Sequence, residues 1–146
     1  MYRDAIAELG YDAKSPSHKL PKRVRSKQLS RLCVPPNAPK FFVQAIERAR
    51  ATRRPIIIDF WAEWCAACLR LKRETLANPD VAKALREVEV IYVDLDKFPM
   101  LGETYGVAAI PDLFFIDTSG RIVDRLQNFE PPDAFVARLR KAFAAP

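Results

Sequence analysis

Two cysteines three positions apart, Cys65 and Cys68, are the residues of this chain best placed for covalent chemistry. They follow an apolar run, Ile56-Ile57-Ile58-Asp59-Phe60-Trp61, and open a stretch of helix-favouring composition that reaches about Leu76. A thiol at such a helix start faces unpaired backbone N–H groups and the positive end of the helix dipole. Its thiolate is favoured, and it is expected to titrate below the free value of roughly 8.5. Cys65 is therefore assigned as a nucleophile. Cys68 falls one turn deeper on nearly the same face, close enough to close a disulfide with Cys65 yet shielded from solvent, and is assigned as the resolving thiol. The chemistry open to such a pair is exchange with another disulfide.

Asp59 is the one acid in the apolar run before the cysteines. A carboxylate buried among Ile57, Phe60 and Trp61 has its pKa raised by desolvation and can trade a proton with a neighbouring thiol; a structural salt bridge is the alternative. Glu63 is expected at the surface. The third cysteine, Cys33, leaves an odd count, which excludes a framework of structural bridges within one chain. A zinc site drawing on Cys65, Cys68, Cys33 and His18 is the rival use of the same sulfurs. It leaves Asp59 unexplained and takes two ligands from in or beside a loose leader, so no metal is expected.

The elements that hold these residues read from periodicity and punctuation. Phe42, Ala45, Ile46 and Ala49 recur at helical spacing, predicting a helix from about Pro39 to Arg53 that Pro55 ends. The run 56–61 is a strand covered on both faces, and Val88 to Val93 is a second. Asn78-Pro79-Asp80 starts a helix through Leu85, Pro99 to Tyr105 forms another closed by Gly106, and Thr118-Ser119-Gly120 turns Leu113–Ile116 into Ile122–Leu126 as an antiparallel hairpin. A last helix begins near Pro131 or Pro132 and buries Phe135, Val136, Leu139 and Phe143. A leading strand is placed around Gln28 to Cys33. The order predicts an α/β fold, a mixed central sheet with helices on both faces.

Composition agrees with one domain. The chain has 146 residues, about half of them apolar, enough for a single core. Its formal charge of +6 is concentrated at one end: residues 1 to 40 hold nine Lys or Arg against three Asp or Glu, and the remainder is balanced. Residues 1–37 are read as a basic, partly disordered arm and residues 38–146 as the folded domain. The arm's field would attract anionic lipid or nucleic acid, although no RNA-binding motif accompanies it. There is no run of 18 apolar residues and no signal-type segment after Met1. A soluble, monomeric chain is expected.

From about Pro39 to Phe143 the sequence resembles the thioredoxin-fold proteins. Ile58-Asp59-Phe60-Trp61-Ala62-Glu63-Trp64-Cys65 is similar to their active-site strand and entry, and Val93-Asp94-Leu95-Asp96-Lys97-Phe98-Pro99, Tyr105-Gly106-Val107 and Ile110-Pro111 recur in the same order. Within the family, Ala62 to Cys68 with Lys72, Thr75, Asn78-Pro79-Asp80-Val81 and Ala84-Leu85 most resembles the C-terminal domain of bacterial membrane thiol:disulfide interchange reductases.

The resemblance implies a thiol:disulfide oxidoreductase that reduces protein disulfides, fed by an upstream dithiol donor and needing no bound cofactor. A redox-inactive, partner-binding module is the alternative. It further implies a cis bond before Pro111, substrate contacts at Trp64, Ile110 and Pro111, and an extracytoplasmic, periplasmic placement if a targeting segment has been removed; the chain as printed would be cytoplasmic. Three departures bear on it. Ala66-Ala67 replaces the family's Gly-Pro, Asp112 follows Pro111 where threonine is usual, and Tyr92 stands where many members place a lysine near the buried aspartate.

Overall fold

A computed structural model describes residues 30–144. His18 and the basic residues from Lys14 to Lys27, on which the arm's expected contacts rest, lie outside the described residues.

The first described helix, α1 (Lys40–Thr52), buries Phe42, Ala45, Ile46 and Ala49, the stripe that the periodicity marks. It stops at Arg53, whose left-handed backbone (φ 54°) turns the chain toward Pro55. β1 (Ile56–Trp61) follows, then α2 (Ala66–Arg70), which continues without a break as a π-helical segment, Leu71–Leu76. α3 (Pro79–Ala84) starts where Asn78 Oδ1 accepts from the N–H groups of Asp80 and Val81 at 2.9 and 3.3 Å. That side chain satisfies two donors a helix start leaves open, and Pro79 has no N–H to lose there. β2 (Glu89–Asp94), α4 (Pro99–Tyr105), β3 (Asp112–Ile116), β4 (Ile122–Leu126) and α5 (Pro132–Ala142) complete the order.

The four strands lie in the order β2-β1-β3-β4. β1 and β2 are parallel, joined by the long α2–α3 crossover that a parallel pair requires, while β3 runs antiparallel to β1 and to β4. The β3–β4 turn is held by the Asp117 carboxylate, which accepts from Ser119 N, Ser119 Oγ and Arg121 N, and by Gly120 at φ 89°. A side chain there would strain the backbone.

Alternation along β1 splits the core into two layers. Ile56, Ile58 and Phe60 face α1 and α4, where Phe60, Tyr105 and Phe114 pack with ring centroids 5.3 to 5.7 Å apart. Ile57 faces the opposite layer, with Leu71, Leu76, Val81, Leu113, Phe115, Phe135 and Leu139. Asp59 and Trp61 share the parity of Ile57, so they lie on the face over which the cysteine-bearing helix runs.

Two expectations change in detail. The leading strand placed around Gln28 to Cys33 lies in part, at Gln28 and Leu29, outside the described residues, and within them it is one antiparallel bridge between Arg31 and Arg121. Pro35 and Pro36 have no N–H to extend a ladder, and Leu32, Cys33 and Val34 pack against the α1 layer instead. In α5, Phe135 and Leu139 are buried, whereas Val136, and Phe143 just after the helix, are half-buried at the layer's margin. Among the described residues no helix is long and apolar enough to cross a membrane.

Candidate active site

The carboxyl end of β1 carries the chain into the site. Cys65 caps α2 with extended backbone, and Cys65 and Cys68 are joined as a disulfide with their Cα atoms 5.2 Å apart. The Cys68 N–H donates to Cys65 Sγ at 3.2 Å, so an open donor of the helix start is aimed at the first sulfur. Both cysteines are nearly equally buried in this oxidised form. Cys68 is shielded, but so is Cys65, and burial therefore does not distinguish the two sulfurs; a backbone N–H is directed at Cys65 Sγ.

The sheet register brings in the second wall. Phe60 pairs with Asp112 across β1 and β3, which sets the residues before Asp112 beside those after Trp61. The Ile110–Pro111 bond is cis, as the resemblance implies, and the Ile110 carbonyl oxygen lies 3.7 Å from Cys65 Sγ. Pro111 is buried and Ile110 partly exposed. Trp64 is 70% exposed next to Cys65, its indole N–H donating to Asp96 Oδ1 at 3.3 Å. Glu63 is exposed, as expected.

Asp59 is 5% exposed, and its Oδ1 is buried with no hydrogen-bond partner among the described residues. Loss of water pushes its carboxyl up to about 7, with the positive charge of Lys72 acting in the opposite sense. Among the described residues Asp59 forms no salt bridge. Lys72 sits four residues after Cys68, its Nζ 4.9 Å from the Trp61 ring centre and 5.2 Å from that of Tyr92. Tyr92 pairs with Asp59 in the sheet, and its hydroxyl is raised by burial and by the Asp59 charge. The cation that Tyr92 does not supply therefore comes from the helix. Sequence reasoning missed this role for Lys72, although its spacing from Cys68 places both on one helix face.

A second missed feature lies one residue past Pro111. The Asp112 carboxylate is fully buried and accepts two N–H bonds from Arg125, at 2.9 and 2.6 Å. Burial raises the Asp112 carboxyl, and Arg125 counteracts it. Cys33, which takes no part in the disulfide, is buried in the α1 layer, where its backbone N–H donates to Tyr105 Oη and its carbonyl accepts from the same hydroxyl. Among the described residues no three His, Cys, Asp or Glu side chains gather as metal ligands.

Comparison with known proteins fits this geometry. A family profile described as a thioredoxin-like domain matches residues 42–143. The chain is 31% identical over 105 residues to the thiol:disulfide interchange protein DsbD of Ralstonia nicotianae, an alignment covering 68% of this chain and 17% of that protein. It is 27% identical over 85 residues to a thioredoxin of Streptomyces clavuligerus, covering 58% of this chain and 76% of that one. The chain thus spans about a sixth of the length of the DsbD proteins it matches. Among solved structures, a thioredoxin from Thermus thermophilus superposes with a TM-score of 0.62 at 26% identity, over 68% of this chain and 82% of that one. The oxidised C-terminal domain of Neisseria meningitidis DsbD gives 0.60 at 22% identity, over 70% and 92%, a likeness of fold.

Proposed function

The chain belongs to the thioredoxin-like domain family, and on that premise we propose that it is a thiol:disulfide oxidoreductase that reduces protein disulfides. The observation that carries the reading is the Cys65–Cys68 disulfide at the start of α2, with a backbone N–H directed at Cys65 Sγ and the Ile110 carbonyl beside it. A sulfur held in that way is stabilised as a thiolate when the bridge opens.

In the reduced protein the Cys65 thiolate attacks one sulfur of a substrate disulfide. The substrate S–S bond breaks, a Cys65–substrate disulfide forms, and the released substrate sulfur takes a proton. Cys68 then gives its proton to Asp59, whose raised carboxyl accepts it near neutral pH, and attacks Cys65 Sγ. The second substrate sulfur leaves, the Cys65–Cys68 bridge closes, and two electrons have passed to the substrate. An upstream dithiol donor restores the pair, so no bound cofactor enters the cycle. Trp64, Ile110 and Pro111 form the substrate contacts: an exposed aromatic on one side and backbone groups for an extended chain on the other. Reduction of the insulin disulfides by the reduced protein tests the assignment. Turnover is expected from the wild type and none from Cys65→Ser; normal turnover by that variant would remove Cys65 from the mechanism.

A further inference from the structure

Residues 107–111 carry the Ile110 carbonyl to Cys65 and form no helix or strand of their own, running between Gly106 at the end of α4 and Asp112 at the start of β3. One side chain holds both ends of this loop. Arg125, on β4, donates from Nε to Asp112 Oδ1 at 2.9 Å and from Nη2 to Asp112 Oδ2 at 2.6 Å, and the same Nη2 reaches the Gly106 carbonyl oxygen at 3.4 Å. Its guanidinium also lies over the Phe114 ring, 4.5 Å from the centroid, which fixes the plane of the fork. Phe114 is the cross-strand partner of Arg125, so the sheet itself sets the reach of the side chain.

The carboxylate partner is fully buried, and Arg125 itself is about a quarter exposed. The planar guanidinium can serve the carboxylate and the Gly106 carbonyl together because its donors point in fixed directions; a lysine ammonium is a point charge and cannot reproduce the fork.

We propose that Arg125 is a positioning residue of the substrate loop: by gripping Gly106 and Asp112 at once, it sets residues 107–111 at the distance from Cys65 that an extended protein chain requires. The proposal rests on the reading of Ile110 and Pro111 as substrate contacts. A small disulfide needs the sulfur of Cys65 but little of the loop, so loosening the grip bears on protein substrates far more than on small ones.

The test compares kcat/KM for an oxidised protein substrate with kcat/KM for a small aromatic disulfide, Ellman's reagent, in the wild type and in Arg125→Lys. The expected result is a fall of about tenfold or more in the protein-to-small-disulfide ratio, carried mainly by a higher KM for the protein. An unaltered ratio in the folded variant overturns the proposal. Should a buried, half-paired Asp112 prevent folding, the double variant Asp112→Leu with Arg125→Met strands no charge and still lacks the Gly106 contact. The same fall in ratio is expected of it, and an unaltered ratio again overturns the proposal. A wild-type protein inert toward both disulfides would remove the reading beneath the proposal and the proposal with it, whereas activity with an unaltered ratio removes the proposal alone.

Discussion

Substituting Asp59 by Asn isolates the free-energy effect of the buried carboxyl. In the folded protein that carboxyl is pushed from the ordinary 3.8 up to about 7, with Oδ1 buried and unpartnered among the described residues. In the unfolded chain it titrates near about 3.9. Below pH 4 both states hold the proton, and an amide of the same shape leaves stability close to that of the wild type. Between about pH 4 and 7 the unfolded chain has released a proton that the folded protein keeps, so wild-type stability falls as pH rises through this window. Above about 7 both states are ionised and the loss is complete. A separation of about three pH units, at roughly 1.4 kcal/mol for each, makes the variant more stable by up to about 4 kcal/mol at pH 8. Urea denaturation of the oxidised proteins from pH 4 to 8.5 measures this directly. Taking the difference between the two proteins at each pH cancels slopes from other groups, such as Asp117, whose hydrogen bonds from Ser119 and Arg121 hold its carboxyl below the usual range. A difference that is flat across the range, or that grows toward acid, refutes the reasoning.

Lys72→Met removes the positive charge that opposes burial at Asp59, so the Asp59 carboxyl is expected to titrate above about 7. NMR titration of its carboxyl carbon reads the shift, and an unchanged or lowered value contradicts the role given to Lys72. Asn78→Ala removes the acceptor for the Asp80 and Val81 N–H groups and is expected to cost about 1 kcal/mol by urea denaturation. An unaltered midpoint would mean that the cap contributes nothing to stability.

The fold was readable where one local rule decides each element. An apolar run on both faces marks β1, Gly106 closes α4 with a left-handed residue, and Pro79 and Pro132 sit in first turns. The cysteine pair and Asp59 were readable because a helix start and a strand's alternation place them without tertiary information. The π-helical segment at Leu71–Leu76 was not, because composition favours helix without distinguishing its hydrogen-bond spacing. Thr75 Oγ1, within it, donates to the Glu130 carbonyl, a contact between distant segments. Lys72 and Arg125 escaped for a related reason. Each acts on a residue of a different element, Lys72 from the helix on Asp59 of β1 and Arg125 from β4 on Asp112 of β3, and in sequence each is one of many cations. Tyr92 departs from the family pattern at one position in the sheet, while the charge that acts on Asp59 comes from Lys72 on the neighbouring helix.

The most direct test of the account is capture of the exchange intermediate. Reduced Cys68→Ser protein, mixed with an oxidised protein substrate, cannot release it, and peptide mapping by mass spectrometry is expected to find the substrate disulfide-bonded to Cys65. Adducts on Cys33 instead, or no adduct under conditions where the wild type turns over, would contradict the account.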